Sequence, residues 1–131
     1  MSNPISSYLG LHAQALPLRE ERLKLIASNL SNADTPGYKA KDLDFGAALE
    51  AAAGGRSPLD ATDARHIAIP GADGLNPFQF QRPELQPSLD GNTVDANAER
   101  AAYGRAALEY RASLSFVESK VRTLLTAITG Q

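Results

Sequence analysis

Large apolar residues recur at helical spacing at the two ends of this chain and nowhere between them. Leu9, His12, Leu16, Arg19, Leu23, Ile26 and Leu30 alternate steps of three and four, and Leu11, Leu18 and Leu25 run beside them as a second stripe. That is the period of a helix packed along its whole length. Toward the C-terminus Tyr103, Ala107, Tyr110, Leu114, Val117, Val121, Leu124 and Ile128 take the same steps, which predicts a second helix of about 30 residues and roughly 45 Å. Glu20 and Lys24 form an i,i+4 pair on the polar side of the first helix, and Arg19, Glu21 and Arg22 keep that side wet. Pro17 removes a backbone donor and crowds the carbonyl four residues back, so a kink or break is expected near His12 to Leu16.

The first repeat stops at Asn29-Leu30-Ser31-Asn32-Ala33-Asp34-Thr35-Pro36-Gly37-Tyr38. Proline disfavours the helical conformation at Thr35, and Pro36-Gly37 has the residue order of a type II turn with Gly37 at positive φ. Asn29, Ser31, Asn32 and Asp34 are suited to satisfy the orphaned carbonyls of the helix end or to bond locally. Leu43, Ala47, Ala48 and Leu49 suggest a short helix that starts after Asp42 or Asp44. From Gly54 to Asn92 the pattern dissolves into Gly and Pro steps, with apolar islands at Ile67-Ala68-Ile69 and Phe78-Gln79-Phe80 that suit the edge strands of a small hairpin. A stretch of this kind is expected to be partly disordered or ordered only by a partner. Order returns after Asp90-Gly91-Asn92-Thr93-Val94-Asp95, where Asp95 or Asn92 caps the last helix, Glu99 sits in its first turns and Gly130 closes it.

The core available to such a chain is thin. At 131 residues it is one domain at most, and although 43% is hydrophobic only 6% is aromatic, with no Trp and much Ala. Both helices carry more than one apolar stripe, which is more surface than one partner helix covers, so the surplus points to neighbouring subunits. A net charge of -2 with both signs interspersed argues against a nucleic acid or an anionic membrane surface as partner. The absence of Cys excludes thiolate chemistry and disulfides. No apolar run suits a membrane span, and the N-terminus lacks the pattern of a cleaved signal peptide.

Nothing converges on catalysis. His12 and His66 have neither metal-ligand spacing nor a Cys nearby; His12 is expected in the helix seam and His66 on a loop or surface. Asp90 to Asp95 has carboxylate or amide groups at the first and third places of a calcium loop, but its glycine falls early and the distal Glu is misplaced, so helix capping is the better account. Asp42 and Asp44 are one residue apart and face different ways on a strand or a helix. No nucleophile elbow, P-loop or dinucleotide fingerprint occurs. Catalytic, metal and cofactor residues are therefore none.

The block from Leu18-Arg19 through Ile26-Ala27-Ser28-Asn29-Leu30-Ser31-Asn32-Ala33-Asp34-Thr35-Pro36-Gly37-Tyr38 and on to Phe45 closely resembles the N-terminal signature of bacterial flagellar rod and hook proteins. The second block, Asp90 to Asp95 leading into a C-terminal helix, is similar to that of the proximal rod proteins in particular. The resemblance implies a structural subunit of the basal-body rod, the drive shaft running from the inner-membrane ring across the periplasm. It implies passage through the flagellar type III export apparatus, and a tube in whose inner wall both terminal helices pack while the middle of the chain faces outward or contacts neighbours. The implied partners are copies of the chain itself, other rod proteins and the rod-base adaptor at the inner-membrane ring. Pro17 departs from the family pattern.

The expected fold is thus mainly α: two long terminal helices forming an antiparallel coiled coil, with a Gly/Pro-rich, partly disordered or small β centre. The divisions are an N-terminal axial helix over 1–35, a turn and short helix over 36–53, an irregular centre over 54–92 and a C-terminal axial helix over 93–131. The residues expected at assembly interfaces are Leu23, Ile26, Asn29, Leu30, Asn32, Thr35, Pro36, Gly37 and Tyr38 in the first block, Asp90, Gly91, Asn92 and Asp95 in the second, and Tyr110, Leu114, Val117, Val121, Leu124 and Ile128 along the last helix. The competing reading is a helical adaptor or export chaperone that binds one partner helix in a groove.

Overall fold

The computed structural model describes residues 4–54, 77–84 and 87–130. Its elements are helix α1 (Pro4–Ser31), strand β1 (Lys41–Leu43), helix α2 (Phe45–Gly54), strand β2 (Gln79–Gln81) and helix α3 (Ala96–Thr129). The protein is mainly helical, with one small antiparallel strand pair.

Helices α1 and α3 touch along their length in reverse order of sequence. Lys120 lies over the Tyr8 ring, His12 stacks on Phe116 with ring centroids 4.5 Å apart, Arg19 pairs with Glu109 at 2.9 Å, and Asn29 meets Glu99. The buried line of α3 is Glu99, Ala106 and Ser113, three residues at intervals of seven. It runs along one edge of the stripe read from the sequence. The large residues of that stripe flank it: Tyr110, Leu114, Val117 and Leu124 are half-buried, while Val121 and Ile128 are exposed. Periodicity of large side chains locates the apolar face, but two of the three buried positions carry the small side chains of Ala106 and Ser113. His12 occupies the seam as its spacing suggests. Arg19 and Arg22 do not sit on a merely wet face: the Arg19 guanidinium lies 4.9 Å from the centre of the Phe45 ring, and Arg22 reaches Asp42.

The break in α1 is at Gly10 (φ 69°, ψ −159°), not at His12 to Leu16 as Pro17 suggests. That backbone region is open essentially to glycine alone. Pro17 stays inside the helix on its exposed side, where water can satisfy the carbonyl that its ring leaves unpaired. The helix ends at Ser31, short of residue 35, because Asn32 and Ala33 donate back to Asn29 and Leu30 and tighten the last turn. Thr35 to Tyr38 then closes a turn, with Tyr38 N–H donating to the Thr35 carbonyl at 3.3 Å and Gly37 at φ 73°.

Asp44 caps α2 through Ala47 N–H at 3.1 Å, and Asp95 caps α3 through Asn97 and Ala98 N–H at 2.9 and 3.2 Å. At the far end Gly130 closes α3. The Phe78 to Phe80 island does supply a strand, but its partner is β1, with Lys41 opposite Gln81 and Leu43 opposite Gln79. The Ile67 to Ile69 island and His66 lie outside the described residues. Among the described residues the buried apolar set is Ala15, Ile26, Ala40, Leu43, Ala48 and Ala106, mostly alanine, so the core is as thin as the composition implies.

Candidate functional site

The two sequence blocks that flank the helices come together in space, and polar side chains hold them there. Asn29, on the last turn of α1, is fully buried. Its amide closes on the backbone of Lys41 as a neighbouring strand would, donating to the Lys41 carbonyl at 2.7 Å and accepting from Lys41 N–H at 2.9 Å. The Tyr38 hydroxyl donates to the same Asn29 oxygen at 3.2 Å, and the Asn29 amide also donates to Glu99 Oε2 at 3.4 Å. One side chain therefore ties α1, β1 and α3, and it spends its whole hydrogen-bonding capacity doing so.

Asn92 performs the reciprocal task from the other block. Its side-chain nitrogen lies 2.9 Å from the carbonyls of Asn32, Ala33 and Thr35, covering the acceptors of the turn that follows α1. Its oxygen accepts from Val94 N–H at 2.8 Å, and its own N–H donates to Asp90 Oδ1 at 3.1 Å. Gly37 N–H donates to the Asp90 carbonyl at 2.8 Å, and Gly91 backs onto Gly37 so closely that a Cβ on Gly91 would stand 3.7 Å from Gly37 Cα. Both glycines have positive φ. Thr93 N–H to the Tyr38 carbonyl, Ala40 N–H to Thr93 Oγ1, and Lys39 Nζ to the Gly91 carbonyl complete the stitching.

Below this lies a charge cluster. Asp42 Oδ1 accepts from Arg22 Nε at 3.1 Å and from Leu43 N–H at 2.8 Å; Oδ2 accepts from Arg82 Nε and Nη2 at 3.2 and 3.0 Å. Arg82 Nη1 donates to Glu99 Oε1. Two guanidinium groups thus balance two buried carboxylates, and each carboxylate has hydrogen-bonding partners, the condition under which buried charge is tolerated. Burial pushes the Asp42 carboxyl up, but the Leu43 N–H and the Arg22 and Arg82 guanidiniums outweigh it and hold the group below its ordinary value.

An open groove of about 630 Å³ lies beside Arg82 and the start of α3, between Pro83, Pro87, Val94 and Ala98. Among the described residues no three His, Cys, Asp or Glu side chains cluster as metal ligands do. The polar groups that converge here are directed at one another, which makes this a structural joint.

Of the residues singled out in the sequence, the joint gathers Ile26, Asn29, Leu30, Asn32, Thr35, Pro36, Gly37, Tyr38, Asp90, Gly91 and Asn92; Asp95 stands at its rim as the helix cap. Leu23 is half-buried one turn before Ile26. The residues from Tyr110 to Ile128 lie beyond the joint along α3. Sequence reasoning missed Arg22, Asp42, Arg82 and Glu99 as a cluster. The one local sign is that Glu99 precedes Ala106 by the same seven residues that separate Ala106 from Ser113, which puts an acid on a buried line.

Comparison with known proteins places this joint in a family. A family model described as "Flagella basal body rod protein" matches residues 9–39, the stretch from the α1 seam to the Gly37 turn. The chain is 46% identical to the flagellar basal body rod protein FlgB of Cereibacter sphaeroides (strain ATCC 17029) over 94% of both chains. Against the FlgB of Aeromonas hydrophila the identity is 44% over 93% of this chain and 92% of that one, and against that of Escherichia coli K12 it is 36% over 98% and 97%. With such identity extending through both blocks and nearly end to end, the chain belongs to the family of the flagellar basal body rod protein FlgB, a family of structural subunits of the flagellar rod.

Proposed function

We propose that this rod subunit acts in the proximal part of the rod, and that α1 and α3 form an antiparallel coiled coil whose outer faces pack against neighbouring subunits in the wall of the axial tube. The observation that carries the reading is the unequal finish of the helix pair. At the joint the converging polar groups are engaged with one another and Ile26, Ala40 and Leu43 are buried, with Leu89 on the approach to α3 left exposed. At the opposite end Leu11, Phe116, Leu125 and Ile128 are 53, 56, 55 and 73% exposed. A row of large apolar side chains on a helix pair is a surface for another chain.

The partners that go with this reading are copies of the chain, other rod proteins and the rod-base adaptor at the inner-membrane ring, with delivery through the flagellar type III export apparatus. The location is the basal body, in the section of the rod that crosses the periplasm. The role is non-enzymatic: the converging polar groups are consumed by one another, and the mixed surface charge offers nothing to nucleic acid.

The test is a pair of substitutions on α3. Val121 is 40% exposed in the lone chain, and burial of an unpaired carboxylate against a neighbour costs several kcal/mol. Val121→Asp is expected to abolish rod assembly, and Glu118→Gln on the polar side to be nearly silent, with both variants still synthesised and exported. Normal rods containing Val121→Asp would remove this face from the assembly surface. A purified chain that stops at a fixed stoichiometry, instead of associating head to tail without closing, would favour the adaptor or chaperone reading.

A further inference from the structure

All three side chains of β2 are exposed, so no apolar burial fastens this strand. Its backbone is held on one side only, with cross-strand bonds from Asp44 N–H to the Phe78 carbonyl and from Arg82 N–H to the Ala40 carbonyl, both 2.8 Å. A two-stranded ribbon with so little buried surface is marginal in water. Strand β1 is secured differently: Leu43 is buried and the Lys41 backbone is gripped by Asn29. The outlying links to this stretch, Gln79 to Glu21 and Lys39 to Glu84, lie on exposed side chains and contribute little. The link from this stretch that reaches buried charged partners among the described residues is Arg82, the residue that follows the strand. Its planar fork spans from Asp42 on β1 to the fully buried Glu99 on α3.

We propose that Arg82 is a positioning residue that fastens the returning chain to the joint by charge, and so sets how the middle of the subunit sits against the helix pair. The helix pair has its own contacts, from Tyr8 and Lys120 to Asn29 and Glu99, and does not pass through β2. Remove Arg82 and Asp42 keeps Arg22 and the Leu43 amide, but Glu99 keeps only the 3.4 Å contact to Asn29. The harm then comes from a stranded buried carboxylate as much as from the lost tether, and neutralising Glu99 must relieve it.

The proposal rests on the rod-subunit reading only where motility is measured. The experiment is hydrogen exchange on the full chain carrying Arg82→Met, Arg82→Lys or Arg82→Met with Glu99→Gln. In Arg82→Met the cross-strand amides of residues 44 and 82 are expected to exchange faster by a factor that exceeds the change at Ala106 and Ser113 by roughly tenfold or more. Arg82→Lys, which keeps the charge without the fork, recovers part of the strand protection, whereas Glu99→Gln in the Arg82→Met background relieves the amides around residue 99 and leaves those of residues 44 and 82 fast, because the tether is still absent. Strand and helix amides accelerating in step, or full strand protection returning with Glu99→Gln while Arg82 is still absent, would overturn the proposal, because the first marks general loosening and the second marks the stranded carboxylate alone as the cause. In cells lacking the native subunit, Arg82→Met should reduce swimming and Arg82→Lys restore part of it. If exchange behaves as expected but swimming never changes, the fastening stands and its part in rod assembly falls.

Discussion

Asn92 donates its side-chain amide to the backbone carbonyl of Asn32 at 2.9 Å, across 60 positions of sequence. The bond joins the turn after one terminal helix to the approach of the other, and with the Ala33 and Thr35 carbonyls it gives the acceptors of that turn a single shared donor group. Asn92→Ala takes this donor from all three carbonyls, of which Asn32 and Thr35 keep the N–H groups of Thr35 and Tyr38, and should lower stability by roughly 1–3 kcal/mol. Asn92→Asp should be worse, since it sets a carboxylate against three carbonyl oxygens. Urea unfolding followed by circular dichroism checks both, and an aspartate variant as stable as the native chain would contradict the role given to the amide.

Gly37 combines positive φ with a backbone bond to Asp90 and a close approach to Gly91. Gly37→Val forces a β-branched residue into the left-handed region at a strain of about 1–2 kcal/mol, and the turn relaxes by pulling away from Asp90. Motility should fall while export of the subunit is retained. Undiminished swimming with Gly37→Val would mean that this turn places no constraint on assembly.

Acid should act on the joint through Asp42. Its folded value lies below the ordinary 3.8, held there by the Leu43 N–H, Arg22 and Arg82 against the upward push of burial. A depressed carboxyl contributes stability that is fully present above its unfolded value of about 3.9 and is lost as pH falls through the lower folded value. The window is therefore acidic, below about pH 4. Asp42→Asn should be less stable near neutrality and should show a shallower loss of stability between about pH 4 and pH 2. Unfolding midpoints across that range decide the matter, and an unchanged acid slope would assign the titration elsewhere.

Stability should fall off along α3. Beyond the Lys120 to Tyr8 contact, exposure climbs from Val121 through Leu125 to Ile128. In the isolated subunit the amides of residues 121–129 should exchange fastest in the helix and those near Glu99 slowest, and protease should cut the distal end first. Uniform protection along the whole helix would show that it is stable without neighbours.

The helices, their caps and the Gly37 turn were legible because each is local: a period of three and four, Asp before an alanine-rich run, Pro followed by Gly. The Asp90 to Asp95 block was legible as a cap, and Asp95 fills that place, but the task of Asn92 lies with the other helix and no spacing reveals it. Pro17 misled because the cost of a proline depends on whether its side of the helix faces water, and Gly10 was passed over because a single glycine near a helix start carries no signal of its φ. The cluster of Arg22, Asp42, Arg82 and Glu99 was invisible for a further reason. Charged residues read as solvated until their partners are known, and these partners come from three separate elements and the residue that follows β2.

The joint also decides what the chain between its two halves is free to do. Asn29 reaches Lys41 across 12 positions and Glu99 across 70, yet the entropy of closing a flexible loop grows only with the logarithm of its length, so the longer closure costs just roughly 1.5 kcal/mol more. Doubling a loop adds about 0.6 kcal/mol. Insertions or deletions between α2 and β2 are therefore nearly invisible to the joint, and variation can remodel the middle of this subunit in length and composition while the two terminal helices keep their register.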